Sequence, residues 1–239
     1  MQHLLRRKII LIFGLIIFGI SASAQIIELN QPDHDIRPYH FGINIGYNKS
    51  HFLFSHHPRF LQYDSIQSVE SINSAGINLA WLVNVRLGDH FDLRVHPLDL
   101  TFSEKAFLYS EKYTGNSNST QTEKKVQAIL LSFPFDLAFS SDRINNFKVY
   151  ALAGGKIDYD LASNTGAQKA EELIKLKKSD VSVEVGIGFH FFFPYFVLSP
   201  EIKLSSGIIN LHNRDENLRY SNVIDKISSK MISFSFTVE

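Results

Sequence analysis

Ten histidines and 24 acidic residues are the chain's stock of groups for acid–base or metal chemistry, and there is no cysteine. His51, His56 and His57 cluster in one polar stretch, but no carboxylate stands beside them at a recognisable ligand spacing. A solvated loop is the expectation there. His40, His96 and His190, with Asp92 and Glu184, are the right types for general acid–base work. The competing reading makes them part of a structural polar plug. Serine is plentiful, yet no Gly-x-Ser-x-Gly elbow frames a nucleophile, and neither a phosphate loop nor a dinucleotide fingerprint appears. The expectation is no catalytic residue, no metal site and no cofactor.

A set of charged and histidine residues recurs at alternate positions. Arg86, Asp92, Arg94, His96, Asp136, Lys156, Asp158, Asp160, Glu184, His190, Glu201 and Lys203 all alternate with apolar neighbours. A period of two places such residues on one face of a β-strand. Eight segments carry it. In the first, Tyr39, Phe41, Ile43, Ile45 and Tyr47 oppose His40, Gly42, Asn44, Gly46 and Asn48. The others run over 75–87, 91–102, 129–137, 147–161, 181–193, 196–205 and 232–238. In the third, the apolar parity slips by one after Pro97, as a β-bulge would make it. Connections of about two to seven residues alternate with connections of about 20. All long loops then fall at one end of an even-stranded antiparallel sheet.

Alternation alone does not say which face is wet, because a soluble lipocalin-like barrel has the same period. The polar face decides. It carries Gly42, Gly46, Gly76, Gly154, Gly186 and Gly188 and charges of both signs. Small residues suit the cramped interior of an eight-stranded barrel, where mixed charges must pair because an unpaired buried ion is costly. The apolar face then meets lipid. The stretch HFFFPYFVL, residues 190–198, fits two lipid-facing strands meeting at a short turn, within the aromatic girdle of such a barrel. Trp81 fits a girdle less well, falling near mid-span. The predicted fold is all-β, an eight-stranded antiparallel up-and-down transmembrane barrel of the outer-membrane type.

Residues 1–24 look like an export signal. Arg6, Arg7 and Lys8 precede an apolar run, Ile9 to Ile20, and Ala22-Ser23-Ala24 gives the small-x-small pattern, with cleavage between Ala24 and Gln25. Twelve apolar residues are too few for a spanning helix, which needs roughly 20. Removing the signal leaves a formal charge of −3, with no electrostatic footprint for nucleic acid. Without disulfides, an exported chain must draw stability from a large core or from a membrane. Residues 25–38, polar with two prolines, read as a periplasmic tail, and 39–239 as one barrel domain. The one helical-looking stretch, 167–178, lies in the third long loop and pairs Glu171 with Lys175 at a spacing of four.

Three stretches, RPYHFGINIGYN (37–48), VYALAGGKIDYDLAS (149–163) and FFFPYFVLSPEIKLSSG (191–207), resemble the PorT family, called SprT in gliding bacteria, as does IDKISSKMISFSFTVE (224–239). They follow the family's order over nearly all of the mature chain. The resemblance implies a small outer-membrane barrel needed for the type IX secretion system, which exports proteins bearing a C-terminal sorting domain and in some bacteria supports gliding. The implied partners are outer-membrane lipids, the translocon and its periplasmic subunits, and the barrel-assembly machinery for insertion. The family offers no catalytic residues to carry over. From position alone, Arg37, Pro38, Tyr39, Pro194 and Tyr195 are the expected periplasmic contact surface. Two other readings of a small barrel stand beside this one: an adhesion or envelope-stabilising protein, and a lipid A-modifying enzyme.

Overall fold

The computed structural model describes residues 28–57, 66–111, 120–161, 176–213 and 224–239. The signal segment, with Ala24 and Gln25, and most of the helical-looking stretch lie outside the described residues. Nine strands follow in order: β1 (Tyr39–His56), β2 (Ile66–Ile72), β3 (Ser74–Arg86), β4 (Phe91–Glu111), β5 (Thr120–Ser140), β6 (Phe147–Asp160), β7 (Ser179–Phe192), β8 (Val197–Gly207) and β9 (Ile224–Val238). All pairings are antiparallel, β1 bonds both β3 and β9, and β4 with β5 closes the circle. β2 pairs with β4 beyond the end of β3. The two are one stave interrupted at Asn73, so the barrel has the eight staves that the period predicts.

The wall is apolar on the outside. Phe41, Ile43, Ile45, Ile77, Leu79, Trp81, Val185, Ile187, Phe234 and Phe236 all point outward and are exposed, whereas Asn44, Asn84, Arg94, Asp136, Lys156, Glu184, Glu201 and Thr237 are buried. A soluble barrel has the reverse arrangement. Closure leaves no strand edge, so every stave can bond its backbone to two neighbours in a medium without water. Among the described residues no helix is long and apolar enough to cross a membrane; strands do the crossing.

The slip after Pro97 is a bulge. The β4 register shifts by one against β3, between Trp81 and Val83, and against β5, between Val95 and Asp99. Strand ends differ from expectation. β1 runs on to His56, β4 to Glu111, β5 begins at Thr120 and β9 at Ile224, so His51 and His56 belong to a strand and only His57 follows it. The connections at 57–65 and 112–119 are correspondingly shorter than expected. A 21-residue strand reaches about 70 Å, far more than a tilted stave needs to cross an apolar band of about 25 Å. Beyond that band the strict apolar–polar alternation stops, as in Lys49-Ser50-His51 and Ser103-Glu104-Lys105, and with it the period that marks a strand. The other end turns tightly at 87–90, 141–146 and 193–196. By the asymmetry of such barrels, this short-turn end faces the periplasm.

Candidate functional site

Staves β4 to β8 aim charged side chains into the middle of the barrel. Arg94 Nη1 donates to Glu201 Oε2 at 2.9 Å, and the Tyr150 hydroxyl donates to the same oxygen at 2.8 Å. The Arg94 guanidinium also lies 4.7 Å from the Tyr150 ring centre. Glu201 Oε1 is 3.6 Å from Lys203 Nζ, which also reaches Asp136 at 3.2 Å and Glu184 at 3.6 Å. Glu184 in turn meets Lys156 at 3.5 Å, and Lys156 meets Asp158 at 3.4 Å. Ser132 closes the chain by donating to Asp158. Signs alternate along the whole path, so each buried ion has an opposite charge beside it.

The glycines of this face make room for the network. Gly188 lies opposite Tyr150 in the β6–β7 register, and a Cβ there would sit 2.3 Å from the Tyr150 ring. Gly154 lies opposite Asp136, where a Cβ would come within 2.3 Å of its carboxylate. Small residues on one stave thus admit large ones from the next.

The periplasmic mouth is closed by residues 28–38. They form a 3-10 turn, Pro32–Asp35, held from the β5–β6 connection by Arg143. Its Nη1 donates to Asp35 at 3.0 Å and to the Gln31 carbonyl at 3.3 Å, and its Nη2 donates to the Asn30 carbonyl and to Asn146. The same guanidinium lies 3.6 Å from the Phe192 ring centre. Asn30 Nδ2 donates to the Phe192 carbonyl at 2.9 Å. The segment expected as a tail is therefore a docked cap. Under it, His34 stacks on His40 with ring centres 3.9 Å apart, and His34 Nε2 lies 3.8 Å from Glu239 Oε2. Burial, reinforced by the neighbouring His40, lowers the His34 pKa to about 4.

Residues 23–213 match the family described as outer membrane protein beta-barrel domain. The chain belongs to this family. It is an outer-membrane protein, and the apolar wall of the barrel is the surface its lipids meet. Neisserial surface protein A is similar in fold at 13% identity and a TM-score of 0.43, over 84% of this chain and 99% of that one. The outer membrane protein OprG from Pseudomonas aeruginosa gives 12% and 0.38, over 82% and 95%. Scores this low carry no argument about what this outer-membrane barrel does. No curated protein matches the chain.

The barrel gathers Arg94, Asp136, Lys156, Asp158, Glu184, Glu201 and Lys203 into one network, with His96 and His190 buried in the same interior. Arg86, Asp92 and Asp160, expected with them, lie nearer the ends. Arg86 pairs with the exposed Asp89 at 3.0 Å. Asp92 lines a hollow at the mouth with Asp35, His40 and Lys148, and Asp160 lines another at the far end with Asp180 and Lys178. Of the acid–base set, His40, Asp92 and His190 line one hollow at the mouth, while Glu184 is held by two lysines in the middle; His190 is engaged by Ser199 at 2.6 Å and by the Tyr150 ring, and His40 by His34. Sequence reasoning omitted Tyr150, which stands on the inward face but is not a charge, and Asp99, which the bulge turns inward. Four of the five residues expected at a periplasmic contact surface share one hollow, which Pro194 does not line. Arg37, Pro38, Tyr39 and Tyr195 line a single hollow with Gln31, His40 and Glu239.

Proposed function

We propose that this barrel is an accessory component of the type IX secretion system, required for export of proteins with C-terminal sorting domains and for gliding where the host glides. It acts by assembling or stabilising the translocon and does no chemistry of its own. One observation carries the choice of mechanism: the interior is crossed by the chain from Arg94 through Glu201, Lys203 and Glu184 to Lys156. An eight-stranded barrel filled this way has no passage for a protein, so its work falls to its surfaces.

The resemblance of residues 37–48, 149–163, 191–207 and 224–239 to PorT supplies the process. The hollow around Arg37, Pro38, Tyr39 and Tyr195 supplies the surface: Tyr195 is 94% exposed and Tyr39 60%, and Pro194 shapes the turn that presents Tyr195. Exposed aromatics flanked by an arginine are what binding surfaces favour. On this reading translocon or periplasmic subunits dock there, after the barrel-assembly machinery has inserted the protein. Deleting the gene should strand cargo bearing the sorting domain in the periplasm, with export restored by the wild-type gene. Normal surface delivery in the deletion strain would end the proposal.

A further inference from the structure

We propose that His34, His40 and Glu239 form a binding site for a divalent first-row transition cation, zinc above all, which fastens the docked N-terminal segment to the periplasmic rim of the barrel. The donors come from three places: the 3-10 turn, the start of β1 and the residue that follows β9. One ligand atom from each lies within 4.8 Å of the other two. Two imidazoles and a carboxylate are a donor set that zinc accepts, with a fourth position left for water.

The hydrogen bonding already assigns the lone pairs. His40 Nε2 lies 2.9 Å from the His34 carbonyl, and a carbonyl only accepts, so the proton is on Nε2. The lone pair is then on Nδ1, which is buried and has no hydrogen-bond partner. A ligating histidine whose other nitrogen donates to a backbone carbonyl is the usual outer-shell arrangement. His34 Nε2 and both carboxylate oxygens of Glu239 are likewise buried without a hydrogen-bond partner. Buried atoms without a hydrogen-bond partner also occur in the middle of the barrel, on Arg94, Asp136, Glu184 and Glu201, but each of those side chains has a full opposite charge within 3.6 Å, whereas the contact of the Glu239 carboxylate is a histidine at 3.8 Å. A single cation answers at least three of the four atoms on His34, His40 and Glu239.

An ion pair between protonated His34 and Glu239 is the competing explanation. It fails on geometry: the 3.8 Å separation is too long for a hydrogen bond and leaves both atoms without a hydrogen-bond partner. The β1–β9 register places Val238 opposite Ile43, which brings Glu239 to Gly42. A Cβ at Gly42 would stand 2.9 Å from Glu239 Cγ, so the glycine gives the carboxylate its room. Binding has one geometric requirement. The stacked rings, 14° from parallel, must fan apart, and the donor atoms must draw in to about 3.3 Å, the spacing set by zinc–ligand bonds of about 2 Å. The site borders the hollow lined by Arg37, Tyr39 and Tyr195, which leaves the fourth position accessible.

The test uses protein purified from outer membranes in detergent, stripped with a chelator and titrated with zinc chloride by calorimetry. One equivalent should bind, and cobalt(II) in its place should give the intense visible absorption of a low-coordinate site. H40Q and E239Q should each weaken zinc at least tenfold, while a variant with His51, His56 and His57 all changed to glutamine should bind as the parent does. Heat-modifiable migration on a gel shows that each variant still folds as a barrel. Absence of binding, binding unchanged in H40Q and E239Q, or binding lost only in the triple variant would overturn the proposal.

Discussion

The middle of the barrel and its periplasmic mouth are both packed with buried polar groups, but the middle is joined by one continuous chain of ion pairs and the His34–His40–Glu239 corner of the mouth is not. In the middle, Lys203 alone touches three carboxylates, and Glu201 is met by Arg94, Tyr150 and Lys203. At the mouth, His34, His40 and Glu239 hold buried atoms with no hydrogen-bond partner among the described residues, and His34 comes no nearer than 3.8 Å to the Glu239 carboxylate. The partners in the middle sit on neighbouring or facing staves of a rigid wall. Those at the mouth come together only once the 28–38 segment has docked. A plug that must seal a membrane pairs its charges across rigid staves, and a rim that must meet something else gathers its donors from segments that dock.

The sharpest way to break the comparison is at Arg94. Replacing it with methionine leaves Glu201 short of its nearest cation, and the cost should be about 3–5 kcal/mol, read from urea unfolding in lipid vesicles. Adding Glu201→Met should recover most of that loss, since an apolar pair can replace a buried ion pair. Next in size, Gly188→Val drives two methyl groups into the Tyr150 ring and should cost about 1–3 kcal/mol. Combined with Tyr150→Ala, the loss should fall short of the sum of the two single losses, because the sites touch.

Effects at the mouth should be smaller and more local. Arg143→Ala removes the charged hydrogen bonds that hold the cap, worth about 1.5–3 kcal/mol each where buried and less at this half-open site. Limited proteolysis within residues 28–38 should quicken several-fold while the unfolding midpoint of the barrel hardly moves. Tyr195→Ala should leave stability unchanged, because the side chain touches almost nothing. On the proposed function it should lower cargo export, and unchanged export in that variant would remove Tyr195 from the contact surface.

The wall was legible because lipid contact imposes a strict period on every stave, from Tyr39 to Tyr47 through Ile232 to Val238. Even the bulge at Pro97 showed as a change of parity. Strand ends were not legible, since the residues that extend β1, β4 and β5, such as Lys49-Ser50-His51, Ser103-Glu104-Lys105 and Glu123-Lys124-Lys125, do not keep the apolar–polar alternation. The interior was half legible: charges such as Lys156 and Glu184 announce themselves, but Tyr150 needs the knowledge that Gly188 lies opposite. Asp99 could have been found by carrying the shifted parity one residue further. The mouth was illegible, because His34 and Glu239 are joined by barrel closure and cap docking, not by any spacing along the chain.

The central claim is that the barrel is solid and works from its surfaces. Its most direct test is single-channel recording of the purified protein in a planar bilayer. The filled interior predicts no stable conductance steps in the parent, even at high salt. Regular, long-lived openings would mean that the network around Lys203 is a gate and not a plug.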